Sequence, residues 1–215
     1  LIRTDKNLGF AGGNNVGLRY ALARDDFDYV WLLNNDTVIE PGALSSLVQR
    51  MEEGPDAGLC GSTLLFYGEP EVLCGRGGGA YNKWIAHVRH IGFYQPAAIQ
   101  LGRDSVERRM DFIAGASMLV SRAFLKEIGL MCEDYFLYFE ELDWASRGRG
   151  RFKLAYAPES VVYHKLGASM QVFNDTNENQ YASKNLFLEN ILRFTRKFHP
   201  WAMPTAWLTV QAARS

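Results

Sequence analysis

Two groups of side chains, far apart in the chain, have the composition to do chemistry. Asn34-Asn35-Asp36-Thr37 follows directly on an apolar run, Tyr29-Val30-Trp31-Leu32-Leu33, and Glu140-Glu141-Leu142-Asp143 follows on Tyr135-Phe136-Leu137-Tyr138-Phe139. A lone histidine, His164, ends a third apolar run, Val161-Val162-Tyr163. A carboxylate just past the carboxyl end of a buried strand stands where open α/β sheets take up ligands. Asn and Asp oxygens are the donors that hard divalent cations prefer, with substrate phosphates and water completing the shell. Three carboxylates behind an apolar wall supply a base whose pKa burial can raise. Metal ligands together with a base are what metal-assisted group transfer requires, which points to an enzyme.

Each group also has a plainer reading. Asp36 suits a turn. Asp143 and Arg147 stand four apart, as in an exposed helical ion pair worth about 0.2–0.5 kcal/mol. His164 taken alone suits a structural histidine. Near the start, Gly9-Phe10-Ala11-Gly12-Gly13-Asn14-Asn15 reads as a glycine-rich turn feeding a helix, Val16 to Ala23. It lacks the dinucleotide spacing, and no Gly-Lys-Ser/Thr is present for a P-loop. Gly12, Gly13 and Asn14 would still offer backbone N–H groups to an anion or a ribose at a helix N-terminus. The alternative is a tight turn with left-handed glycines.

The elements that must position these groups read as strand, helix, strand, helix, strand, which indicates an α/β layer architecture. Tyr29–Leu33 is the first strand, and a helix follows Glu40-Pro41-Gly42, with proline at an early position where its missing N–H is harmless. Ala43, Leu44, Leu47, Val48 and Met51 recur at helical spacing, and Gly58 to Tyr67 reads as a buried strand. From Gly68 to Arg109 the pattern dissolves around Gly75, Gly77-Gly78-Gly79, Trp84, His87 and His90 into an excursion beside a substrate cleft. Asp111 to Val120 reads as one strand with small residues, Gly115 and Ala116, at its centre, where another group can approach closely. Ser121 is an expected N-cap for Arg122–Ile128, with Gly129 as the stop. A helix is expected over Tyr138 to Arg147, then two short strands, Lys153–Ala157 and Val161–His164, divided by Pro158. A polar loop leads to a helix from Tyr181 to Phe198, ended by Pro200.

The 215 residues suit one domain, 1–175, with a helical segment, 176–215, appended. With 47% hydrophobic and 22% charged residues the composition is that of a globular protein, and a net charge of −1 argues against a nucleic-acid partner. Cys60, Cys74 and Cys132 have no metal-type spacing and read as free thiols in a reducing compartment. Neither a secretory leader nor a bilayer-spanning stretch is expected. Leu1-Ile2-Arg3 looks like the tail of a strand already under way.

Five motifs in order resemble the family 2 glycosyltransferases, and among them the bacterial branch of rhamnosyl- and galactofuranosyltransferases. They are Asn7 to Asn15, Leu32 to Thr37, Gly115 to Val120, Phe136 to Trp144, and Ala157 to His164, within a stretch from Arg3 to Ser169. A weaker echo is Lys184-Asn185. The resemblance implies a GT-A nucleotide-diphospho-sugar transferase fold, a mixed central sheet flanked by helices, here lacking the strand–helix–strand unit that precedes the glycine-rich turn in the family. It implies Asp36 and His164 as ligands of a divalent cation, Mn2+ or Mg2+, with Asn34 at the first position of the D-x-D motif and Asn35 between them. It implies Glu141 as catalytic base, where the family usually has the aspartate of a Glu-Asp pair, with Asp143 and Glu140 as reserves. Gly115 and Ala116 would face the acceptor.

The implied reaction is inverting transfer of a sugar, rhamnosyl transfer for cell-envelope polysaccharide being one form of it. The donor would be a dTDP- or UDP-linked sugar and the acceptor a hydroxyl of a glycan or lipid-linked acceptor. Two rivals are a sugar-1-phosphate nucleotidyltransferase and a non-catalytic, degenerate nucleotide-binding domain. Between Lys184 and His199, four basic residues (Lys184, Arg193, Arg196, Lys197) face one acid, Glu189, and alternate with Phe187, Phe194 and Phe198. Such a helix suits an anionic membrane surface, and so a cytoplasmic protein in peripheral contact with the inner face of the plasma membrane. It equally suits packing of its apolar face on the domain.

Overall fold

The computed structural model describes residues 1–165 and 177–214, with backbone alone for 177–182. In chain order the elements are α1 (Gly9–Arg24), β1 (Tyr29–Leu33), β2 (Thr37–Ile39), α2 (Ala43–Glu53), β3 (Ala57–Phe66), β4 (Glu69–Arg76), β5 (Gly78–Asn82) and β6 (His87–His90). A short α3 (Arg103–Glu107), β7 (Phe112–Ile113), β8 (Ser117–Ser121), α4 (Arg122–Ile128), α5 (Glu140–Gly148) and β9 (Lys153–His164) follow. A long helix, Asn177–Phe198, a 3-10 turn, Pro200–Ala202, and a last helix, Met203–Arg214, complete the described chain. The polar loop read after His164, and with it the division at 175/176, lies outside the described residues.

β3 is the spine of a mixed sheet. β9 pairs with it in parallel along its whole length, from Ala57↔Lys153 to Phe66↔His164. Its other edge is shared, by β8 at Leu59–Gly61 and then by β4 from Thr63 to Phe66, both antiparallel. β1 extends the sheet beyond β8, and β2 beyond β9. A strand with neighbours on both edges and layers on both faces must be apolar throughout, and all but the last residue of β3 are buried.

Side-chain alternation divides the core. Leu59, Met118, Val120 and Tyr156 point into the larger layer with Phe124, Leu142 and Trp144, while Cys60, Leu119, Ala155 and Ala157 meet Leu47 and Met51 of α2 on the other face. The larger layer also takes in Leu188, Ile191 and Phe194 of the long helix and Ala206 and Val210 of the last helix.

Several expectations need correction. The glycine-rich stretch is not a turn before a helix but the first turns of α1, which starts at Gly9. Pro41 precedes the α2 cap, Gly42, whose φ of 87° favours glycine, and so lies outside the helix. The region from Gly68 to Arg109 is ordered: β4, β5 and β6 form a wing on the sheet, with α3 after it. Its glycines hid the strands because they mark close backbone approach; a Cβ on Gly61 would stand 2.1 Å from Gly77 O, and one on Gly78 1.8 Å from Phe112 O. The expected strand Asp111–Val120 is two, β7 and β8, split by a turn at Gly115-Ala116. Conversely, Pro158 does not end a strand: β9 is continuous, and the register jumps from Ser62↔Ala157 to Thr63↔Val161, leaving Pro158–Ser160 as a bulge. Ser160 turns inward there, and its hydroxyl joins Ser62 (2.8 Å), which bonds Ser117 (2.7 Å) in a fully buried chain.

Other readings hold. The Ser121 hydroxyl accepts from Phe124 N at 3.1 Å, Gly129 closes α4, and the three cysteines are free thiols. No helix among the described residues is long and apolar enough to cross a membrane.

Candidate active site

Asp36 and His164 meet although 128 positions separate them, because β2 and β9 pair with Thr37 opposite His164. Asp36 Oδ1 and His164 Nε2 stand 3.2 Å apart, both side chains largely buried. Asp36 O accepts from Lys165 N at 2.9 Å, which fixes the turn against the strand end. Burial holds the imidazole below its ordinary pKa, against the opposing pull of Asp36. At neutral pH the ring is therefore uncharged and offers a lone pair, the form in which histidine binds metals. Its other nitrogen, Nδ1, lies 3.9 Å from the Cys74 thiol. Burial, and then the charge of Asp36, push that thiol up to about 12, so it keeps its proton and steadies the ring from behind.

The donor set fits a divalent cation that shares its shell with a substrate. One carboxylate and one neutral imidazole suit Mn2+ or Mg2+, and no group of three or more His, Cys, Asp or Glu side chains exists among the described residues to enclose an ion.

Backbone hydrogen bonds connect this pair to the acidic helix. Asn34 N, at the end of β1, donates to Ala116 O at 3.1 Å, and Gly115 N donates to Glu141 Oε1 at 3.2 Å. Asn34 O also accepts from the Thr37 hydroxyl at 2.6 Å, while Asn35 is exposed in the turn. The Gly115-Ala116 turn thus stands between the Asp36 loop and Glu141, at the carboxyl ends of β1, β3 and β9. Gly115 must lack a side chain, since a Cβ would come within 2.6 Å of both Glu141 Oε1 and Phe10 Cζ.

α5 starts with its acids in the first turn, where the helix dipole favours negative charge. The two residues before it, Tyr138 and Phe139, have φ of 70° and 76°, a left-handed conformation that non-glycine residues adopt at a cost. Glu140 is buried, and its Oε2 has no hydrogen-bond partner among the described residues. Burial drives the pKa of both glutamates up, further for Glu140, on which the charge of Glu141 acts as well. Asp143 is fully buried and committed elsewhere: Oδ1 bonds Arg147 Nε at 2.8 Å and Oδ2 bonds Lys197 Nζ at 2.6 Å. Both oxygens of this reserve candidate are thus held in ion pairs within the fold.

The glycine-rich motif contributes packing. Gly9 N donates to Asn7 Oδ1 and Phe10 N to Phe136 O at 2.7 Å, so the first N–H groups of α1 are taken. Gly12 and Gly13 lie within the helix, and Asn14 Nδ2 donates back to Phe10 O. Asn15, its neighbour in the same motif, makes the larger contribution: fully buried, it exchanges hydrogen bonds with the backbone of Met131 and donates to Glu133. Thus α1 buttresses the loop that leads into α5. Sequence reading also missed Cys74, because a lone cysteine carries no spacing signal.

A cavity of about 790 Å³ opens elsewhere, between the β5–β6 hairpin and the long helix. None of Asp36, His164, Gly115 or Glu141 lines it.

Comparison with known proteins gives a family. The family model described as "Glycosyl transferase family 2" matches residues 1–129. The low-salt glycan biosynthesis hexosyltransferase Agl10 of Haloferax volcanii is 27% identical over 199 residues, 87% of this chain and 61% of that protein. An N-acetylglucosaminyl-diphospho-decaprenol L-rhamnosyltransferase of Mycobacterium tuberculosis is 25% identical over 146 residues, 64% of this chain and 47% of its own. The chain thus spans about half to three-fifths of the length of these relatives. Among solved structures, GalNAc-T7 with UDP, GalNAc and Mn2+ aligns at a TM-score of 0.57 and 16% identity, over 76% of this chain and 31% of that one. The mannosyltransferase PcManGT from Pyrobaculum calidifontis, in complex with GDP-Man and Mn2+, aligns at 0.55 and 14%, over 100% of this chain and 57% of that one. At such identities the structural likeness speaks for the fold alone, which is GT-A. With the family model covering more than half of its residues, the chain belongs to glycosyl transferase family 2.

Proposed function

We propose that the protein is an inverting glycosyltransferase that moves a sugar from a dTDP- or UDP-linked donor to a hydroxyl of a glycan or lipid-linked acceptor. Rhamnosyl transfer in cell-envelope polysaccharide synthesis is its most specific form. The observation that carries the reading is the 3.2 Å Asp36–His164 pair, joined through the Gly115-Ala116 turn to Glu141. Asp36 and His164 would hold Mn2+ or Mg2+, which neutralises charge developing on a diphosphate leaving group. Glu141, its pKa raised by burial, takes the proton from the acceptor hydroxyl. Gly115 keeps the space in front of that carboxylate open. Glu140 lies behind, excluded from solvent, and Asp143 holds α5 in place. Domain 1–175 would carry the reaction, with peripheral contact at the cytoplasmic face of the membrane through the helical segment 176–215.

Calorimetric titration of the Mn2+-loaded protein with UDP and dTDP tests the site directly. Asp36→Ala and His164→Ala should each weaken nucleotide binding at least tenfold, as should EDTA, with Mn2+ restoring it. Unchanged nucleotide affinity in both variants would remove the metal site. Binding without sugar turnover in the wild type would instead favour the degenerate-domain reading.

A further inference from the structure

The cavity between the β5–β6 hairpin and the long helix lies outside the catalytic geometry and has a composition of its own. Its volume, about 790 Å³, is that of a small-molecule site. Leu142 and Ser146, one turn apart, face it from α5, on a different face of that helix from Glu141. Asp111 is the single acid in its lining, and both of that side chain's oxygens are occupied. Oδ1 bonds Arg149 at 2.7 Å and Oδ2 accepts from Tyr81 N at 2.8 Å.

Two further cations line the same space, Lys83 and Arg89, and neither has a carboxylate partner among the described residues. The field of Lys83 is felt locally: His199, also in the lining, is held below its ordinary pKa first by burial, then by Lys83 and by Arg149. A neutral ligand would have no need of two unpaired cations. An anion would.

The mouth is apolar. Trp84 and Trp201 pack ring to ring at 4.7 Å, and the Lys83 ammonium stands 6.0 and 5.8 Å from their centroids. All the same, Trp84 is 63% exposed, Trp201 52% and Ile85 54%. The last helix extends this rim, since the Thr209 hydroxyl bonds Ile85 O at 3.0 Å, with Trp207 and Leu208 exposed. Tryptophan beside lysine around a basic recess is the arrangement found where proteins meet the headgroup region of a bilayer.

We propose that this cavity binds a phosphorylated lipid, its phosphate between Lys83 and Arg89 and its hydrocarbon along the Trp84–Trp201 rim. This deepens the membrane contact proposed above and rests on it, but does not depend on the metal site. It also moves that contact from the basic face of the long helix to the hairpin.

Sedimentation of the chain with vesicles of phosphatidylcholine, with and without phosphatidylglycerol, tests it at low salt. Binding is expected only with the anionic lipid. Replacing Lys83 and Arg89 together by alanine should lower the partition on the order of tenfold or more. Trp84→Ala with Trp201→Ala should do the same, while phenylalanine at both positions should keep most of the binding. All four residues are exposed, so circular dichroism should show native folding; if the double tryptophan variant does not fold, the single variants are read. Equal partition into neutral vesicles, or wild-type partition by the folded lysine–arginine or tryptophan variants, would overturn the proposal. So would inorganic phosphate binding as tightly as a short-chain phosphatidic acid, which would make the site one for free phosphate. UDP binding with Mn2+ should be unchanged in these variants; its absence from the wild type would count against the metal site and leave the lipid site standing.

Discussion

Glu141 is the base in the proposed transfer, and its environment would set the pH at which it works. Its carboxylate is partly buried, accepts from Gly115 N, and sits beside a second, fully enclosed glutamate. Burial raises both above the ordinary 4.5. A base must be unprotonated, so the acid limb of kcat/KM should lie above the usual carboxylate range, with activity falling tenfold per pH unit below it. Glu141→Gln should cost about 10²-fold or more in turnover, with nucleotide affinity kept. Near-normal turnover would pass the role to Glu140. The stability sign is opposite to that of a salt-bridged acid. A raised folded pKa means that the native state holds its proton longer than the unfolded chain does, so stability falls as pH rises from 4.5 upward through the raised value. Urea midpoints across that window should decline less steeply in Glu141→Gln than in the wild type.

At the scale of elements, Asp143 is the pin of α5. It joins that helix to the long helix through Lys197, and it orients Arg147, whose guanidinium also donates to Ile128 O at the end of α4 and to Leu130 O just past it. The carboxylate is fully buried, whereas Arg147 and Lys197 keep 24% and 42% exposure. Removing the buried partner of such a network costs about 3–5 kcal/mol when the remaining charges cannot reach water; here they can, so Asp143→Asn should cost about 3 kcal/mol. Urea unfolding checks this. A fully stable Asn variant that had lost turnover would return Asp143 to the list of bases.

For the whole molecule, the long and last helices have no core of their own. Leu188, Ile191, Phe194, Ala206 and Val210 are buried in the same cluster as Leu59, Met118 and Trp144. Elements that share one core unfold together. Far-ultraviolet circular dichroism and tryptophan fluorescence should therefore give coincident urea transitions, with Val210→Ala shifting both midpoints down together. A separate early transition of helical signal alone would make the segment an independent unit.

Some of this was written in the chain itself. Apolar runs marked β1 and β3, helical spacing marked α2, and Ser121 with Gly129 marked both ends of α4, because these signals depend only on neighbours in sequence. Polar residues at the ends of such runs marked Asp36, Glu141 and His164 as candidates. Tertiary structure decided the rest. It joined Asp36 to His164 through the β2–β9 pairing, set Glu141 against the Gly115 turn, and gave Asp143 two cations. It also made strands of the glycine-rich wing, where local pattern fails because glycine serves close backbone contact rather than periodicity. The basic cavity behind Trp84 arises the same way: residues of a hairpin, a turn and a helix nearly 120 positions away acquire a shared field only when the sheet brings them together.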